Sequence, residues 1–84
     1  MTLLILFAVM HMYEHLRGLR EDRDLSQAEM AEMLSIAQTT YSDYELGKIN
    51  VPIDILKKLA VYFDTSIDYL LDFTDEKQPY RRKK

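Results

Sequence analysis

Gln38, Thr39, Ser42 and Asp43 place an amide, two hydroxyls and a carboxylate within six residues. On a helix, Ser42 and Asp43 lie one turn after Gln38 and Thr39. These groups suit the edges of nucleobases in a major groove. Gln38 can pair with adenine N6 and N7, and Thr39 offers a hydroxyl to a base or phosphate and a methyl to thymine. Asp43 can accept from cytosine N4 but otherwise repels the backbone. Tyr41 and Tyr44, three apart, cannot face the same way as Gln38 and are expected to form the inward ridge. Gln27, in the first turn of an earlier helix, can reach a phosphate and brace Gln38, with helix N-terminal N–H groups beside it. The alternative is that both glutamines are ordinary solvated side chains.

Arg20 and Glu45 are each expected to end a helix. Shielded together, they can form a bidentate pair that locks the first helix to the third, specifying geometry more than adding stability. Otherwise they are two independent surface charges. His11 and His15 stand four apart with Glu14 between them, which raises the idea of a metal pair. The spacing is not H-E-x-x-H and no third ligand has a predictable position, so no metal is expected. Nothing pairs a nucleophile with a base. The chain is read as having no catalytic residue, no cofactor and no small-molecule substrate.

These side chains need rigid supports. Ser26 and Glu29 form an S-x-x-E capping box, with Leu25 as a candidate hydrophobic staple, so a helix is expected over about 27–34. Its apolar positions are Ala28, Met30, Ala31, Met33 and Leu34. A tight turn at Ser35 and Ile36 leads to a second helix over about 38–45, stopped by Gly47. Helices this short are unstable alone, because nucleation is costly. They must brace each other at a steep angle over a shared core, the geometry that presents a helix to a DNA groove. A first helix is expected over about 10–21. A loop at 48–51 precedes Pro52, which opens a fourth helix with the stripe Ile55, Leu56, Leu59, Ala60 and Phe63. A short fifth helix over about 67–71 follows a Ser66 cap and turns Ile67, Leu70 and Leu71 inward. The organisation is an apolar extension (1–10), an all-α five-helix domain (11–74) and a basic solvated tail (75–84).

The chain has 84 residues, no cysteine and a net charge of −3. Disulfides and thiolate zinc sites are excluded, and stability must come from packed helices. Residues 11–50 carry −4, residues 51–74 carry −2 and residues 75–84 carry +3. Since phosphate contact supplies much of protein–DNA affinity, the acidic body predicts weak, salt-sensitive non-specific binding. The start, MTLLILFAVM, is too short for a membrane-spanning helix and lacks the charged beginning of a secretory signal. It either continues the first helix back to about Thr2 or precedes a physiological start at Met10 or Met12. If present, it needs an apolar partner, on this chain or another. No membrane association is expected, and the location is read as cytoplasmic.

The run LRGLREDRDLSQAEMAEMLSIAQTTYSDYELGKINVPIDILKKLAVYFDTSIDYLL, residues 16–71, resembles the phage-repressor/Cro (XRE-like) helix-turn-helix domain. The combination of LR-x-x-R-x-LSQ-x-x-x-A, YE-x-G-x-x-x-P, LA and SIDYLL carries the resemblance. It implies five helices and a short palindromic duplex bound by a dimer. By position it implies that Gln38, Thr39 and Asp43 read bases, with Ser42 beside them on the same face. Gln27, Thr40, Lys48 and Asn50 then meet the sugar-phosphate backbone, and Arg20–Glu45 is the structural salt bridge. Three departures stand out. Ser35 replaces the usual turn glycine, Ala37 replaces a Ser or Thr cap, and the recognition face holds Asp43 without Arg or Lys.

With no further domain in these 84 residues, regulation is expected through abundance, a partner or the terminal segments. Phe73, Tyr69 and the apolar start are candidate dimer contacts. The expected function is a sequence-specific transcriptional regulator, a dimeric repressor reading its operator through residues 38–45. The competing reading is a protein-interaction or antitoxin-like module on the same fold.

Overall fold

Among the described residues, every helix stops on the same backbone device. The computed structural model describes residues 13–79 and folds them into five helices. They are α1 (Glu14–Asp22), α2 (Gln27–Leu34), α3 (Gln38–Glu45), α4 (Ile53–Tyr62) and α5 (Ile67–Leu70). After each comes one residue in the left-handed region: Asp24, Ser35, Gly47, Asp64 and Asp72, with φ between 52° and 72°. The next residue then donates its N–H to the carbonyl five positions earlier. The pairs are Leu25 to Arg20, Ile36 to Ala31, Lys48 to Asp43, Thr65 to Ala60 and Phe73 to Asp68, at 2.9–3.1 Å. This closure satisfies carbonyls that a helix end leaves open. Four of the five residues have side chains, and Asp and Ser tolerate the conformation because a short polar group can hydrogen-bond locally.

Helix starts are more varied. The capping box of α2 is closed in both directions, Glu29 N–H to Ser26 Oγ at 3.0 Å and Ser26 N–H to Glu29 Oε1 at 2.9 Å. Ser66 Oγ accepts from Tyr69 N–H and caps α5. The cap of α1 comes from far along the chain. Asp72 accepts from the backbone N–H groups of Glu14 and His15, both at 3.1 Å. Neither Ala37 before α3 nor Pro52 before α4 supplies a side-chain cap.

The core draws on all five helices: Leu16 and Leu19, Met30, Ala31 and Leu34, Tyr41 and Tyr44, Ile55, Leu59 and Ala60, and Leu70, with Phe63 after α4. Burying each large side chain contributes about 1.5–3 kcal/mol. α2 packs directly on α3 across the turn at 35–37, and α1 touches both α3 and α5.

Several expectations change. The first helix begins at Glu14 rather than near residue 10, because Tyr13 has ψ 87° and donates its N–H to Glu45 O at the end of α3. The first helix is therefore interrupted at Tyr13, and the expected continuation back to Thr2 lies outside the described residues. Met33 and Ala28 face outward, so the buried stripe of α2 is narrower than its apolar content suggests. Pro52 stands at the N-cap, one position before the first helical residue. Leu71 follows α5 and is half-buried. The beginning of the expected tail is anchored, since Thr65 Oγ1 donates to Lys77 O at 2.6 Å. The apolar extension and the RRKK end lie outside the described residues. Among those described, no helix is long and apolar enough to cross a membrane.

Candidate nucleic-acid interface

α3 is fixed by what it buries. Tyr41, Tyr44 and Glu45 are buried on one side, while Gln38 and Thr39 are exposed at its start. Thr40, Ser42 and Asp43 are half-buried on the flanks. The tyrosine ridge thus faces inward as its spacing predicts, and the polar edge of α3 faces solvent. Lys48 and Asn50 are exposed in the loop after Gly47.

Glu45 is the anchor. Its side chain is 4% exposed and its carboxylate accepts from four donors. Oε2 receives Arg20 Nε at 2.6 Å and the Tyr41 hydroxyl at 2.5 Å, and Oε1 receives Arg20 Nη2 and Gln27 Nε2, both at 3.2 Å. Arg20 adds a bond from Nη1 to Leu25 O, tying in the entry to α2. The expected Arg20–Glu45 pair is present and bidentate, and independent surface charges are excluded. Hydrogen bonding to Glu45 raises the Arg20 pKa further above its ordinary value. Burial, then the Glu45 hydrogen bond and charge, push the Tyr41 phenol well above the usual tyrosine range, so it remains a donor.

Gln27 differs from expectation. Its amide donates to Glu45 at the far end of α3, rather than bracing Gln38 at its start. α1, α2 and α3 therefore converge on a single carboxylate. The sequence showed the Arg20–Glu45 half of this cluster. The Tyr41 contribution was missed, although its i, i+4 spacing to Glu45 was a usable signal.

His15, one half of the considered metal pair, is committed elsewhere. Its ring stacks on Tyr69 at 3.9 Å, Nδ1 lies 2.7 Å from Tyr69 O, and Nε2 lies 3.2 Å from Asp75. His11 lies outside the described residues. Tyr69, offered as a dimer contact, is occupied by this stack and only partly exposed, whereas Phe73 is 80% exposed.

Two short helices locked through one buried cluster, the second holding a polar edge outward, match a known family model described as helix-turn-helix over residues 16–70. The chain belongs to the helix-turn-helix family. Among its relatives is the uncharacterized HTH-type transcriptional regulator YobD of Bacillus subtilis (strain 168), 37% identical over 84% of this chain and 63% of that protein. The HTH-type transcriptional activator BcrR of Enterococcus faecalis is 36% identical over 74% of this chain and 30% of its own length. The cryptic phage CTXphi transcriptional repressor RstR of Vibrio cholerae is 34% identical over 67% and 50%. The chain thus matches from under a third to under two thirds of these relatives' lengths. No solved structure matches it significantly. In helix-turn-helix terms, α2 is the supporting helix and α3 the presented one.

Proposed function

We propose that this protein is a sequence-specific transcriptional regulator of the phage-repressor/Cro (XRE-like) type. It binds a short palindromic duplex as a dimer and represses by occupying a promoter. The observation that carries this reading is the two-sidedness of α3. Tyr41, Tyr44 and Glu45 hold it rigidly from within, while Gln38 and Thr39 stand exposed at the end that enters a groove first.

In this reading Gln38, Thr39, Ser42 and Asp43 address bases, and Gln27, Thr40, Lys48 and Asn50 address the backbone. A bidentate amide–adenine contact discriminates by ~1–3 kcal/mol. The contribution of Gln27 is a rigidly oriented amide, since one of its N–H bonds is committed to Glu45. The exposed Phe73 supplies apolar surface for a two-fold contact, which would set half-sites about one helical turn, ~34–36 Å, apart.

Selection from a random duplex pool, followed by gel shift and light scattering of the complex, tests the reading. A palindromic consensus bound by two copies is expected. Gln38→Ala should change the selected sequence, and Lys48→Ala should weaken every duplex alike. Failure of the pool to enrich any sequence favours the protein-interaction reading. A reporter driven by the selected site then distinguishes repression from activation.

A further inference from the structure

A polar cleft of about 220 Å³ opens beside the Glu45 cluster, lined by Arg17, Arg20, Gln27, Glu45 and Leu46. We propose that this cleft seats a phosphodiester of the bound duplex, with Arg17 as the cation that closes on it and Glu21 as the counter-ion that holds Arg17 until then. The proposal rests on the duplex-binding reading above.

The lining carries a cationic opening over a saturated floor. Glu45 faces the cleft, yet its two oxygens already accept from Arg20, Gln27 and Tyr41, so its charge is neutralised from within. Arg20 and Gln27 keep further N–H groups after these bonds, because a guanidinium has five and an amide two. Arg17 adds a second guanidinium at the rim, with its side chain 48% exposed. A diester oxygen is the ligand that matches: anionic, compact and able to accept from several fixed donors.

Arg17 is held by a partner it can release. Its Nε meets Glu21 Oε2 at 3.2 Å, one helical turn along α1, and the Glu21 side chain is 53% exposed. The same Oε2 lies 3.9 Å from Arg20 Nη2, so one exposed carboxylate faces both guanidiniums of the cleft. Exposed pairs of this kind are weak, because water solvates both charges. A phosphate arriving with the duplex also releases condensed counterions, which favours the exchange.

Fluorescence anisotropy with a labelled random-sequence duplex, across a salt series, tests the exchange. Arg17→Ala lies on the surface, and an unchanged thermal melt establishes that it folds. It should lower affinity about fivefold on every duplex and reduce the salt slope by ~0.9. Glu21→Gln should tighten binding two- to threefold in wild type and have little effect with Arg17→Ala already present.

If wild type binds while Arg17→Ala matches it in affinity and slope, the cleft assignment fails and the duplex reading stands. If wild type binds no duplex at low salt, both fail together. Equal tightening by Glu21→Gln with and without Arg17 indicates general charge removal and overturns the exchange. A saturable shift of the Arg17 Nε–H resonance with inorganic phosphate alone, without loss of duplex affinity in Arg17→Ala, assigns the cleft to free anions and overturns the proposal.

Discussion

Glu45→Gln is the most informative single change, because it alters one charge and almost no volume. The carboxylate is buried and takes four donors, two from Arg20, whose side chain is 11% exposed. A glutamine presents one oxygen and one NH₂, so its nitrogen must face a donor in either orientation. Arg20 then keeps its charge, because a guanidinium is not deprotonated in a protein, and only the exposed Glu21 carboxylate, 3.9 Å away, is left as a counter-charge. Breaking a buried pair in this way costs ~3–5 kcal/mol. A domain of this size has only ~4–13 kcal/mol in total. At ~4–8 °C per kcal/mol, the melting temperature should fall by at least ~12 °C.

Far-UV circular dichroism melts and urea titration provide the measurement. A companion variant separates the mechanism. Arg20→Met combined with Glu45→Met and Tyr41→Phe replaces the charged cluster with apolar volume and should recover to within ~1 kcal/mol of wild type, since desolvation offsets most of the pair's attraction. Loss of duplex affinity in that stable variant would then measure how far the cluster sets the pose of α3. A Glu45→Gln protein within ~1 kcal/mol of wild type would refute the argument, as would a triple variant no more stable than the single one.

Three further outcomes follow from the helix ends. Ser35→Gly should raise stability by roughly 1 kcal/mol and the melting temperature by ~4–8 °C, because Ser35 stands at φ 59°. Asp72→Ala should cost ~2 kcal/mol in urea titration, removing both acceptors at the start of α1, while Asp72→Asn keeps one of the two acceptors and should cost about half as much. The backbone hydrogen bond from Ser26, then that from its side chain, hold the Glu29 pKa below 4.5. Its contribution is therefore present above pH 4.5 and lost as pH falls through the lower folded value. Glu29→Gln keeps the capping box and should flatten that part of an acid titration of stability.

What the sequence revealed depended on how far apart the interacting residues lie. Ser26 and Glu29 are three apart, and the helix they open was readable to the residue. Gly47 ended α3 as expected, and Ser35 was recognisable as a glycine position filled by another residue. The Arg20–Glu45 pair spans 25 residues and was legible through the family resemblance and through charge at two helix ends. Asp72 caps α1 from 58 residues away, and no local pattern points to that bond. Tyr13 carried an apolar side chain at helical spacing, yet its N–H goes to Glu45 O, a tertiary bond that sets where α1 begins. Met33 failed for a different reason. Apolarity allows burial, but the buried face of this two-turn helix is already filled by Met30, Ala31 and Leu34.

The acidic balance of the domain weighs against duplex binding only if its carboxylates are free to repel phosphate, and many have structural tasks. Glu45 is buried and neutralised by Arg20. Glu29 and Asp72 face the partial positive charge of helix N-termini, where a carboxylate is favoured. Asp24, Asp64 and Asp72 occupy left-handed positions at helix ends that a non-polar side chain would strain. Asp75 sits against His15 on the side formed by α1 and α5. On α3, Asp43 is the one carboxylate left on the outward-facing flank, because Glu45 points inward. Replacing Asp43 with Asn should therefore raise affinity for random duplex DNA more than replacing Asp64, although each removes the same formal charge. Equal gains from the two substitutions would mean that long-range net charge, rather than the face of α3, controls binding.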